Sequence, residues 1–461
     1  MKLFFHFIVL LFIAGCVSDQ ASLINISKEN YLPKDQLFST DYNDPNNTYS
    51  LYFQTLSLND NLFRIIDLAL KENPLWQSKL AKVEYVRAKS GYLTDESSLK
   101  LNSSVGLMSG KENSRESGFK TQSVPDYQTN ARLGWEIDIL GKWSEYKKES
   151  VETVNAAVYF KEGAQLSFVY DIAKLWYQYL YLTEDLSKIE EQIRNHHEFH
   201  ILHIQSYHAG LDDNESLIIM ENEIKYLALE HIEKKKELSI CRTALQTMLG
   251  NSLSPEIPYQ VLFSKEPIPE SPRKLPSTAL KGRPDIMEMQ SKLIAQIHRA
   301  KASQLNLYPS LSLNLNAVGM TGDLSSPFNQ WKLSGGPILD IPLWNPRRMT
   351  QLRTERAKLK LLELEWKSTI LNAVKNIETS LISYNSTIEN WSISNNIANE
   401  YTKLVTLNKQ KYNVGILSKI DLLKSINVNI TMIRKASAVK LSCFYTFLDL
   451  SKNLGINWAN N

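Results

Sequence analysis

A chain of 461 residues is long enough for two or three globular domains, yet its 17 glycines and 16 prolines gather in a few stretches, so an elongated architecture is expected. The 52 basic and 49 acidic residues nearly cancel, to +3, and form no single basic block, which argues against a nucleic-acid partner. Of the three cysteines, Cys241 and Cys443 lie near the ends of predicted helices in apolar settings; they read as packing residues rather than a disulfide framework.

The chain opens with Lys2 and an apolar run from Leu3 to Ile13, too short to span a bilayer and flanked like an export signal. Ile13-Ala14-Gly15-Cys16 then forms a lipobox-like cleavage site. Residues 1–15 are read as a lipoprotein signal peptide, Cys16 as the first mature residue carrying a covalent lipid, and 16–57 as the lipid-anchored segment. The plainer alternative is an ordinary signal with an incidental cysteine. An N-terminal lipid attaches a protein to a membrane without a spanning helix.

From residue 58 the chain states one pattern twice, about 205 residues apart. Asn73-Pro74-Leu75 is answered by Arg283-Pro284-Asp285-Ile286, and Arg87-Ala88-Lys89 by Arg299-Ala300-Lys301. Trp135 to Leu140 is answered by Pro337 to Leu343, Tyr207-His208-Ala209-Gly210 by Tyr412-Asn413-Val414-Gly415, and Leu249-Gly250 by Leu454-Gly455. The first repeat covers 58–253, an inter-repeat linker 254–274, the second repeat 275–457 and a short tail 458–461. Two related halves suggest a pseudo-symmetric ring or tube.

Each repeat carries a strand pair, near 97–110 and 126–140, then near 308–320 and 328–343. Leu99, Leu101, Val105 and Leu107 alternate with Lys100, Asn102, Ser104 and Gly106; Leu311, Leu313, Leu315 and Ala317 do the same with polar neighbours. Alternation over roughly ten residues is the outer-membrane strand pattern, apolar to lipid and polar to the lumen, although a half-buried soluble sheet gives the same signal. Four strands cannot close a barrel and lipid tolerates no open edge; three copies would supply twelve. Tyr92, Trp143, Tyr308 and Trp344 flank the strands as interfacial aromatics would.

Long helices are predicted near 142–206 and 214–250, and again near 346–411 and 418–454. No proline falls between Pro125 and Pro255 or after Pro346, and apolar residues such as Val169, Ile172, Ala173, Trp176 and Leu180 recur at helical spacing. Gly210 and Gly415 stand where each rod should reverse, Gly250 and Gly455 where each returning helix should stop, and Gly163 is the one interruption.

Asn73-Pro74-Leu75, Gly282 to Ile286, Tyr308-Pro309-Ser310-Leu311, Gly336-Pro337 through Trp344 and the two hairpin turns together resemble the TolC-type outer-membrane efflux proteins, in their lipid-anchored branch. The resemblance runs from about residue 58 to the end and implies a mainly α fold with transmembrane β. In that fold a homotrimer forms a twelve-stranded β-barrel in the outer membrane, continued by a long periplasmic α-barrel. It implies a passive duct docked on a periplasmic adaptor and an inner-membrane transporter of the RND or ABC type. The exit duct of a one-step protein secretion system shares the fold, and a periplasmic adaptor or helical spacer is the reading from another class.

The family closes its periplasmic end with a Tyr and two Asp near the turns. Tyr412, Gly415 and Asp421 match that spacing, and Lys424 stands where the second acid is expected, at the i+3 position that allows pairing with Asp421. The first turn offers Tyr207, Gly210, Asp212, Asp213 and Glu215, with Ser216 at a place the family can fill with an acid. Without the resemblance, Asp421 reads as an exposed helix-start residue.

His196, His197, His200, His203 and His208 cluster near the first tip. The His196/His200 pair has the i, i+4 spacing of a one-face metal site, but no clear third ligand completes it, so no metal is assigned. Lys234-Lys235-Lys236, flanked by Glu233 and Glu237, reads as a solvated face. Nucleophile-elbow, phosphate-loop, dinucleotide and zinc-protease motifs are absent, and no enzyme or cofactor is expected.

Overall fold

The computed structural model describes residues 60–95, 98–112, 122–210, 213–250, 262–269, 280, 282–321 and 330–456. The signal segment with Cys16, and Asp212 of the first turn, lie outside the described residues.

Two helices open the first half, α1 (Asp60–Glu72) and α2 (Pro74–Asp95). Asn73 separates them: its Oδ1 accepts from Leu75 N at 2.7 Å and Trp76 N at 3.2 Å, which caps α2 just ahead of a proline that suits the first helical position. The strands β1 (Lys100–Glu112) and β2 (Gln122–Ile137) follow. The chain then turns at Gly141, φ 80°, and Asp138 accepts from Trp143 N and Ser144 N at 3.1 and 2.9 Å to start α3 (Lys142–His208). Its 67 residues make a rod of about 100 Å. After Gly210, φ 75°, Asp213 caps the returning α4 (Asn214–Met248) by accepting from Ser216 N at 2.9 Å.

The second half repeats the order with α5 (Pro284–Leu305), β3 (Ser310–Thr321), β4 (Gln330–Asp340), α6 (Pro346–Asn413) and α7 (Lys419–Asn453). Asn345 and Ser418 cap α6 and α7. Helix and strand ends fall close to the predicted ones, the largest difference being β2, which starts at Gln122, four residues earlier than expected, and stops at Ile137. Its end is set by Asp138, whose carboxylate is drawn into capping α3 instead of continuing the strand. Gly163 does not break α3; a Cβ there would meet Pro284 of α5 at 3.5 Å, an ordinary contact, so the packing does not require the glycine.

The sheet is antiparallel in the order β1-β2-β3-β4. Along the rods the helices lie side by side in two tiers. Next to the sheet the order of packing is α2, α3, α5, α6; toward the tips it is α4, α3, α7, α6. Between the tiers sits the main apolar core, where Trp176, Tyr170, Trp366, Tyr384, Phe263 and Phe447 are all 2 % exposed or less. Tyr177 and Phe444, one from each half, stack there with ring centroids 4.1 Å apart.

Candidate functional site: sheet face, open edges and hairpin tips

The register fixes which residues share a face of the sheet. Leu101 pairs with Leu133, Leu133 with Leu315; Trp135 pairs with Leu313, and Ile137 with Leu311, which pairs with Leu339. The other face carries the rows Asn102, Arg132, Asn316, Ser334 and Ser104, Asn130, Val318, Lys332. One face is therefore apolar and, with Val105 at 79 %, openly exposed, while the opposite face is polar. A soluble sheet packs its apolar face against a second layer; here the described residues put none over it, as expected of a wall between lipid and a wet lumen. No helix among the described residues is long and apolar enough to cross a membrane.

Among the described residues each layer of the body ends in two unpaired edges: β1 and β4 in the sheet, α2 and α6 beside it, α4 and α6 toward the tips. Exposed apolar side chains collect on them. From Met349 to Leu407, α6 exposes Met349, Leu361, Leu364, Leu371, Ile382, Ile393, Ile397, Leu404 and Leu407. At 100° per residue all of these fall within an arc of about 120°, one continuous stripe along the rod. On α4, Ile219, Tyr226, Leu229 and Ile240 likewise share one side. Of the interior helices, α5 and α7 show no exposed large apolar residue, and α3 shows only Val151, Ile201 and Tyr207, near its ends.

At the tips, Gly210 and Gly415 both take positive φ, 75° and 77°, and both reversals are exposed. Tyr207, Glu215, Tyr412, Asp421 and Lys424 are exposed there as well. Asp421 does not take up the i+3 pairing with Lys424 that the spacing allows. Its carboxylate accepts from Ser418 Oγ at 2.6 Å, while its own N–H donates to that oxygen at 3.0 Å, so the helix cap holds it. Sequence reasoning missed Lys419, which reaches Glu198 of α3 at 3.1 Å and lies 5.7 Å from the Tyr412 ring, tying the two hairpins together near their ends. It also missed Arg434, which donates to Asp185 at 2.7 Å, to Gln192 at 3.0 Å and to Glu230 at 2.6 Å. Burial opposes its charge, but these two carboxylates outweigh that and raise the pKa of the guanidinium. Neither link repeats between the halves, and each joins residues far apart in the chain, so no local pattern announces it.

His196 and His200 are not brought together with a third ligand, and no group of His, Cys, Asp or Glu among the described residues is placed to hold a metal. His196 instead lies 3.4 Å from Glu223 on α4. Burial lowers its pKa, against the pull of Glu223. The Cys241 and Cys443 thiols are buried, and burial raises each to about 11.

The profile of the outer membrane efflux protein family matches residues 65–251 and 275–426, covering both repeats. The chain belongs to that family. The efflux-protein relatives include the probable outer membrane lipoprotein SilC of Salmonella typhimurium, 24% identical over 391 residues that make up 82% of this chain and 80% of SilC. The cation efflux system protein CusC of Escherichia coli K12 is 22% identical over 384 residues, 81% and 80% of the two chains. Among solved structures, the Campylobacter jejuni CmeC outer membrane channel superposes with a TM-score of 0.80 at 20% identity, covering 95% of each chain. The open state of the Neisseria gonorrhoeae MtrE channel gives 0.76 at 17%, over 92% of this chain and 96% of that one. The fold is that of these channels, and this efflux protein is an outer-membrane channel that extends into the periplasm.

Proposed function

We propose that three copies close edge to edge into one passive exit duct, which receives solutes from an inner-membrane pump through a periplasmic adaptor. The observation that carries this is the coincidence of open edges with exposed apolar stripes on α4 and α6. Three copies of a four-stranded sheet make twelve strands, an even number that leaves no edge in lipid. The same closure sets α6 of one copy against α2 and α4 of the next and covers the α6 stripe along its length.

Cys16 carries the lipid in this reading, its anchor adding to the barrel's own hold on the membrane. Tyr412, Gly415, Asp421 and Lys424 at one hairpin tip, with Tyr207, Gly210, Asp213 and Glu215 at the other, form the periplasmic gate in this reading. Relatives named for cation, toluene and antibiotic efflux support small solutes over a secreted polypeptide as cargo. The test is cross-linking in whole cells, followed by mass and identity of the purified complex. A trimer bound to an adaptor and a proton-driven pump is the expected result; an ATP-driven partner with a secreted protein in transit points to the secretion duct instead, and a monomer with no membrane partner defeats the channel.

A further inference from the structure

We propose that the barrel selects for anions, through a belt formed by Arg132 and Lys332 on the lumen face; this rests on the trimeric channel reading. Both side chains are exposed and lie on the polar face, in adjacent rows of the register. Neither has a hydrogen bond or ion pair among the described residues, where their neighbours on the face are Asn102, Ser104, Asn130, Asn316, Ser334 and the apolar Val318. All are neutral, and the polar ones solvate an ion without offsetting the charge.

The spacing makes the two act as one belt. Lys332 lies two strands over and one row along from Arg132, about 12 Å by strand geometry. Three copies would repeat the pair around the lumen. The acids whose side chains are described on this face stand at the periplasmic end and are already committed: Glu136 to Lys142, and Asp340 to Arg348 at 3.3 Å. Along the strand, Glu136 is about 13 Å from Arg132 and Asp340 about 26 Å from Lys332. Those distances exceed the screening length of about 10 Å at 0.1 M salt, so the acids do not cancel the belt. A ring of Arg and Lys in a pore draws anions and repels cations. The predicted cargo class is accordingly anionic or neutral solutes, with free cations disfavoured at the barrel.

The test is the reversal potential of the purified full-length channel in planar bilayers under a KCl gradient near 0.1 M. The wild type should prefer chloride, and R132Q/K332Q should lose at least about half of the chloride-to-potassium permeability ratio. A cation-selective wild type, or a variant with unchanged ratio, overturns the proposal. A second measurement needs only the outer mouth to be accessible: R132C in intact cells should react faster with an anionic than with a cationic thiosulfonate, and K332Q should abolish that difference. Equal rates at R132C with Lys332 present overturn the belt, even if the tip is shut and no current flows. A protein that neither conducts nor forms trimers would instead strike at the channel reading itself.

Discussion

Asn73 and Arg283 occupy equivalent places in the two halves and cap the same kind of helix end with different chemistry. Asn73 Nδ2 donates to the carbonyls of Met248 and Thr247, at 2.8 and 3.2 Å, where α4 stops. Arg283 Nη1 donates to the Asn453 carbonyl where α7 stops, while its Nε and Nη2 hold Asp285. Each thus satisfies carbonyl groups that a helix end leaves without partners. Just past each helix end a glycine takes positive φ, Gly250 at 75° and Gly455 at 73°.

That arrangement predicts unequal costs for two glycines with the same φ. A Cβ on Gly250 would stand 2.5 Å from the Glu72 carbonyl oxygen, whereas one on Gly210 meets nothing within 4 Å. Gly210→Ala should cost the left-handed strain alone, about 1–2 kcal/mol. Gly250→Ala should cost more, because backbone must also move. Thermal or denaturant midpoints of the purified variants decide this, and equal losses would refute it.

Glu145 should make stability depend on pH in the acid range. Its buried carboxylate accepts from Lys148 at 2.9 Å and Lys301 at 3.1 Å, and its Oε2 lies 2.7 Å from His298 Nδ1. Burial opposes ionisation, yet the hydrogen bonds from His298, Lys148 and Lys301 prevail and bring the pKa to about 2. A carboxyl depressed below its unfolded value stabilises the fold above that value and loses the contribution as pH falls toward the folded pKa. Glu145→Gln should therefore be clearly less stable than the wild type at pH 7, by at most about 3 kcal/mol. The gap should narrow between about pH 4.5 and 2, as measured by denaturant unfolding across that range.

Arg434→Met should cost about 3–5 kcal/mol, because the Asp185 side chain, 2% exposed, is left as an unpaired buried charge. Changing Asp185 to Leu in the same chain should restore most of the loss. A single variant as stable as the wild type would show that the link is not needed between the hairpins.

Tyr226→Glu with Leu229→Glu places two carboxylates on the exposed apolar side of α4. The expected outcome is a folded helical chain that no longer assembles, read as a fall in mass by light scattering in detergent with helical content kept. Full assembly in this variant would exclude the α4 edge from ring closure.

Lys424→Asp at the second tip should strengthen block of single-channel current by multivalent cations, since it adds an exposed acid one turn after Asp421. Equal block in both proteins would remove Lys424 from the gate.

The repeat, the strands and the rods were legible because each leaves a periodic trace in sequence. Alternation marked Leu101 and Val105, and the turn glycines marked the reversals at Gly210 and Gly415. Register was not legible, because alternation alone leaves a slip of one residue open; only the strand pairing sets Leu133 and Leu315 side by side in one apolar row. The links between hairpins were not legible. Arg434 meets Asp185 and Glu230, and Lys419 meets Glu198, across separations that only the packed helices bring together. At Asp421 the nearer competitor prevailed, Ser418 offering a cap hydrogen bond at shorter reach than a flexible lysine.

The open edges carry a genetic consequence. If inactive and functional copies mix at random in equal amounts in the proposed three-copy ring, only about one ring in eight is wholly functional. An altered chain that keeps its α4 and α6 stripes would then poison the activity of its normal siblings, whereas one that has lost them would simply be left out and behave as recessive.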